Sequence, residues 1–149
     1  MYTNILVPLD GSAFAETALP HASALAAKFD CKITLVKVFE TPHVYQTVDK
    51  AAGVLEDIHQ AAIKDASDYL EAQKAKLAAE GLSVEVDFIE GGNVAAMILE
   101  AIEESGADLV VMSTHGRSGL DRWRFGSVAE RVARHASVPV VLIRPKVED

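Results

Sequence analysis

The chain has 149 residues, half of them apolar, a single cysteine, and a net charge of −8 from 22 acidic and 14 basic side chains. A domain of this length can bury a layered core without disulfide or metal support, and Cys31 alone offers neither an internal disulfide nor a cysteine-based zinc site. The acidic balance argues against general binding to nucleic acid or anionic membrane, because such contacts rest on many cationic groups.

The first apolar run, Ile5-Leu6-Val7-Pro8-Leu9, stops at Asp10-Gly11-Ser12 and is apolar at consecutive positions, the pattern of a strand buried on both faces. It is too short for a secretory signal, and no stretch reaches the roughly 20 apolar residues of a membrane helix, so the expectation is a cytoplasmic chain. Ser12 stands at an N-cap position ahead of an Ala-rich helix to Phe29, with Pro20 inside it as a bend. Ile33 to Phe39 reads as a second strand, and Thr41 to Gly53 as a loop long enough to be a flap. A long amphipathic helix from about Leu55 to Glu80 carries Ile58, Ala62, Ala66, Tyr69, Gln73 and Leu77 on one face, with Gly81 as its stop.

Val84 to Ile89 alternates as an edge or half-buried strand does, and Gly91-Gly92-Asn93 turns the chain into a helix capped by Asn93 and ended by Gly106. Leu109 to Met112 is a wholly apolar strand. A Ser/Thr/His/Gly/Arg loop, a short helix from Ser127 to about His135 and a last strand, Val138 to Ile143, complete the chain. Five strands and four helices in alternation select the α/β class: one domain over residues 1–149, with a five-stranded parallel open sheet covered by helices on both faces in the Rossmann-like manner.

Charge is unevenly spread along this pattern. All six arginines lie at or after position 117, and five of them (Arg117, Arg122, Arg124, Arg131, Arg134) fall between Gly116 and His135. Against Asp121 and Glu130 they give that stretch +3, leaving −11 for the remainder. A cationic, Gly- and Ser-rich segment after a buried strand and before a helix lies where open parallel sheets bind ligands, and helix N-termini there offer N–H groups to anions. Ser113-Thr114-His115-Gly116, then nine residues, then Gly126-Ser127-Val128 suits a phosphate cradle: the glycines allow close approach of backbone, and Ser127 offers a hydroxyl and an N–H. The alternative is a surface loop whose glycines serve turns and whose arginines are solvated. Neither a Walker A lysine nor a Gly-x-Gly-x-x-Gly fingerprint is present.

Taken together, Asn4 to Ser12, the Gly116 and Gly126-Ser127 spacing with Val128-Ala129-Glu130-Arg131-Val132 behind it, and Val138 to Arg144 resemble the universal stress protein family along nearly the whole chain. Nucleotide-binding members of that family carry Gly, two residues, Gly, nine residues, then Gly-Ser or Gly-Thr; here Ser113 replaces the first glycine. The resemblance implies ATP at the strand C-termini and a homodimer through Val138 to Ile143; magnesium is expected with the nucleotide, bridging its phosphates without a dedicated protein cage. By position it implies Pro8 and Asp10 beside the ribose, Val38 on adenine and Met112 in the pocket. It further implies Ser113, Gly116, Gly126, Ser127 and Val128 around the phosphates. Asp10 before Gly-Ser is equally a turn or capping aspartate.

Other residues offer less. His115 fits a phosphate or a neighbouring carbonyl, and Trp123 and Phe125 a binding rim or packing under the loop. His21, His43, His59 and His135 show no metal spacing with one another or with carboxylates, and Cys31 reads as a passive thiol. No catalytic constellation is legible. The first reading is therefore a stress-response or signalling module that binds ATP. The alternatives are a slow ATPase using Asp10 or His115, and a nucleotide-free member acting through protein contacts.

Overall fold

Ile5, Leu6 and Val7 have no exposed surface at all, as a run of consecutive apolar residues demands of a strand in mid-sheet. The computed structural model describes residues 1–39, 53–116 and 125–146. Its elements are β1 (Asn4–Leu9), α1 (Ala13–Glu16), α2 (Leu19–Phe29), β2 (Lys32–Phe39), α3 (Val54–Ala79), β3 (Val84–Glu90), α4 (Val94–Ser105), β4 (Leu109–Ser113), α5 (Ser127–His135) and β5 (Val140–Ile143). The strands form one parallel sheet in the order β3-β2-β1-β4-β5. The alternating strand β3 lies at one edge, as its pattern predicts, and β5 at the other.

Alternate residues of the strands feed two cores. On one face Ile5, Val7, Ile33 and Leu35 pack with Ala22 and Ala26 of α2, with Ala18 at its N-cap, and with Leu70 and Leu77 of α3. On the other, Leu6, Val36, Val110 and Met112 pack with Ile98 and Ile102 of α4 and Val132 of α5. Helices thus cover both faces, and the α/β expectation holds.

Three local expectations are corrected. The Ala-rich segment is two helices, so the described residues hold five helices rather than four. A proline ring clashes with the carbonyl four residues earlier. For Pro20 that is Glu16, where α1 ends, and Pro20 then occupies the first turn of α2. The last strand begins at Val140, not Val138: Pro139 has no N–H, and its carbonyl instead accepts from Val110 at 3.0 Å to open the ladder. Leu70, absent from the predicted stripe of α3, is fully buried in it. The expected flap, 41–53, lies outside the described residues except for Gly53.

The N-terminal end of the sheet is closed by polar groups. Asp108 accepts from the N–H and hydroxyl of Thr3, both at 2.8 Å, and from the N–H of Asn4 at 3.1 Å. Buried Asn4 donates to the Ser105 carbonyl and accepts from the Thr34 hydroxyl at 2.8 Å. Burial works against the Asp108 carboxylate, but the Asn4 and Thr3 donors outweigh it and hold its pKa below the ordinary value. Nearby Cys31 is buried, and that burial, followed by the charge of Asp108, pushes its thiol pKa up, consistent with a passive role.

Candidate functional site

At the opposite end of the sheet the strands part. Residues of β1 pair with β2 from Asn4 to Leu9, but with β4 only at Ile5↔Leu109 and Leu6↔Val110. Strand β4 continues beside β5 to Ser113↔Ile143. Chain order reverses between β1 and β4, so the crossovers on either side leave a crevice between them. Pro8, which has no N–H for a ladder on either side, stands where that pairing has ended.

The crevice is a cleft of about 500 Å³. Pro8, Asp10, Val38, Met112, Ser113, Gly116, Gly126, Ser127 and Val128 all line it, so the structure brings together the nine residues that the resemblance assigns to a nucleotide site. Its two ends differ in chemistry. Val36 and Val38 of β2, Val94 and Ile98 of α4 and Met112 of β4 form an apolar wall. Asp10, the 113–116 loop and residues 126–129 at the start of α5 form a polar one. Gly126 is the N-cap of α5 and supplies no side-chain cap. The first-turn N–H groups of such a helix are suited to an anion.

Thr114, between two residues the sequence pointed to but itself overlooked, organises the polar wall. Only 1% of its surface is exposed. Its N–H donates to the Ile143 carbonyl at 2.9 Å, its carbonyl accepts from Gly126 N–H at 2.7 Å, and its hydroxyl meets His115 Nδ1 at 2.8 Å. One residue thereby ties the end of β5 to the start of α5. The His115 N–H bonds the Ser113 hydroxyl at 3.2 Å. Among the signals available, its place inside the Ser-Thr-His-Gly run was the one that pointed to Thr114.

Asp10 takes the turn role in part. Its Oδ1 accepts from the Ser12 N–H at 2.8 Å and hydroxyl at 2.5 Å, while Ser12 caps α1 by accepting from Ala15 N–H at 3.1 Å. Its Oδ2 lies on the side of Gly116. Neither motif glycine has a left-handed backbone, so turn geometry is not why they are glycines. A Cβ on Gly126 would stand 2.8 Å from the Thr114 carbonyl oxygen. The fold itself therefore excludes a side chain at this position, because the space is taken by backbone.

The cationic cluster is also reapportioned. Arg131 and Arg134 are exposed and do not line the cleft, and Arg134 pairs with Glu130 at 2.9 Å on the outer face of α5. Arg117, Arg122, Arg124 and Trp123 lie outside the described residues, as does His43. Phe125 is half exposed, with Arg144 over its ring at 5.6 Å. His59 has a carboxylate partner after all, Glu90 at 3.5 Å, reached across the fold rather than along the sequence. Among the described residues no group of three or more His, Cys, Asp or Glu could hold a metal ion, and no helix is long and apolar enough to cross a membrane.

Comparison with known proteins places this architecture. A model of the universal stress protein family matches residues 1–144. Universal stress protein MJ0531 of Methanocaldococcus jannaschii is 34% identical over 150 residues, spanning 99% of this chain and 86% of that protein. Among solved structures, the protein MJ0577 superposes with a TM-score of 0.85 at 26% identity, over 99% of both chains. A universal stress protein in complex with cAMP superposes at 0.69 with 24% identity, over 95% of this chain and 97% of that one. With the family model matched almost end to end and a relative one-third identical along the same length, the chain belongs to the universal stress protein family.

Proposed function

We propose that this protein is a cytoplasmic stress-response or signalling module that binds ATP in the cleft between β1 and β4. The observation that carries the reading is the pairing of two unlike walls in one crevice. An apolar slot of Val36, Val38, Ile98 and Met112 stands beside a polar end with the free first turn of α5, Ser127 and the Asp10 carboxylate. A flat apolar base joined through a hydroxylated sugar to an anionic tail matches that sequence of surfaces. That a fold neighbour is described in complex with cAMP supports an adenine nucleotide.

In this reading Val38 and Met112 pack on the base and Pro8 and Asp10 flank the ribose. Ser113, Gly116, Gly126, Ser127 and Val128 surround the phosphates. Backbone N–H groups and the Ser127 hydroxyl, rather than Arg131 or Arg134, make the anion contacts. Asp10 is the one carboxylate among the described cleft-lining residues, so magnesium accompanying the nucleotide would be held chiefly by the phosphates themselves. The apolar edge strand β5 pairs antiparallel with a second copy, covering an edge that would otherwise template aggregation.

Mass spectrometry of ligand released from freshly purified protein, followed by calorimetry, tests the reading. ATP is expected to bind at least ~10-fold more tightly than adenosine, since each charge-assisted bond to a phosphate contributes about 1.5–3 kcal/mol. Equal affinity for the two would remove the phosphate role from the 113–128 segment, and binding of neither would remove the nucleotide.

A further inference from the structure

The two glycines of the motif have different neighbours, and so different work. At Gly126 an added Cβ would meet backbone, the Thr114 carbonyl. At Gly116 it would overlap the carboxylate of Asp10, with Oδ2 the nearest atom and Cγ next at 3.6 Å. Apart from the adjoining chain, no other described atom lies within 4 Å of that point. The Gly116 backbone is outside the left-handed region, so alanine there is free of conformational strain, and among the described residues its effect falls on Asp10.

Asp10 has little freedom to yield. Its other oxygen is held by the Ser12 N–H at 2.8 Å and the Ser12 hydroxyl at 2.5 Å, and that hydroxyl is itself engaged by Ala15 N–H. An aspartate has two side-chain torsions, and turning either to clear a methyl group at position 116 pulls Oδ1 away from Ser12. The carboxylate is therefore clamped from two sides, by donors on Ser12 and by an empty side-chain position on Gly116.

We propose that Gly116 is a positioning residue for Asp10. Its missing side chain is what allows the carboxylate to stand at the cleft wall, so Gly116 governs recognition of the ligand's hydroxyl-bearing sugar rather than of its phosphates. This rests on the nucleotide reading above and changes what one of its motif residues does there. Gly126 and Ser127 are left to the phosphates, and Gly116 acts through a side chain on another strand.

The experiment is a double-mutant cycle on the full chain, with binding measured by calorimetry for ATP, 3′-deoxy-ATP and adenosine, and folding checked by melting. Gly116→Ala is expected to weaken ATP binding by ~10-fold and 3′-deoxy-ATP by much less, leaving the ratio of ATP to adenosine affinity unchanged. Asp10→Ala should do the same. The double variant should bind ATP no worse than Asp10→Ala alone, because the glycine has nothing left to position. Additive losses in the double variant, or a loss that grows with the number of phosphates, would assign Gly116 to the phosphates and overturn the proposal while leaving the nucleotide reading intact.

The Ser12 amide resonance provides a readout that needs no ligand. It should lose its carboxylate-bonded shift in Gly116→Ala as fully as in Asp10→Ala. An unchanged Ser12 amide in Gly116→Ala overturns the positioning role whatever binds. Failure of the native chain to bind any adenine nucleotide, with the Ser12 amide displaced as expected, removes the sugar-recognition claim together with the nucleotide reading and leaves the clamp itself established.

Discussion

Replacing Gly126 by alanine is the sharpest test of how the polar wall is built. The new Cβ would sit 2.8 Å from the Thr114 carbonyl oxygen, well inside van der Waals contact. That carbonyl cannot swing aside cheaply, since its oxygen accepts from the Gly126 N–H at 2.7 Å and the N–H of the same residue is held by the Ile143 carbonyl at 2.9 Å. Overpacking of this kind costs about 1–3 kcal/mol, offset by the roughly 0.4–1 kcal/mol that alanine gains by restricting the unfolded chain, so the mid-range net loss is about 1.3 kcal/mol. For a protein of this size that lowers the melting temperature by roughly 3–8 °C. Gly92→Ala is the matched control: nothing lies within 4 Å of its Cβ position and its backbone is not left-handed, so it should melt at or slightly above the native temperature. Scanning calorimetry of both variants decides the matter. A Gly126→Ala protein that melts with Gly92→Ala would mean the Thr114 carbonyl does not confine this position.

Two further outcomes follow from the sheet. Because the donors around it hold the Asp108 pKa down, its stabilisation is complete above the unfolded value near 4 and is lost as pH falls through the lower folded value. Asp108→Asn should therefore cost about 1–3 kcal/mol at neutral pH and flatten the loss of stability below about pH 4, read from urea unfolding across that range; an acid limb identical to the native one would refute the assignment. At the other edge, the carbonyls of Pro139 and Ile143 face β4, so Val140 and Leu142 turn their N–H groups outward. Sedimentation at micromolar concentration should give a dimer, and a monomer would dismiss pairing through β5.

Much of the fold was legible because single residues carry unambiguous physical signals. Asn93 accepts from Ala96 N–H at 3.0 Å as an N-cap, Gly106 adopts the left-handed C-cap, and α5 begins and ends at the residues its pattern indicates. Each of those features is local, decided within four residues. What went unread depends on distance in space. The break before Pro20 was in principle local, but the pull of an Ala-rich stripe concealed it. The pairing of His59 with Glu90, the crowding of Gly126 by Thr114 and the reach of Gly116 to Asp10 join segments between 12 and 106 residues apart, and no periodicity reports such neighbours. The site residues converged because a parallel sheet places every strand end on one side, so position along each strand was enough to find the cleft. What each residue does there required coordinates. The arginines mark the limit of compositional reasoning: a cationic stretch is visible in sequence, but Arg134 spends its charge on Glu130 one helical turn away.

Asp108 and its partners Thr3 and Asn4 sit a strand length from the polar wall of the cleft, about 20 Å along β1 from Asp10. Changes at sites that far apart combine additively, so this molecule carries its robustness and its recognition on separate dials. An engineer could harden or soften the chain from the Asp108 end without retuning what the cleft admits. The insulating material is the apolar midsection of the strands, where Leu6, Val7 and Val110 offer no polar group through which a proton or a rotamer flip could be relayed.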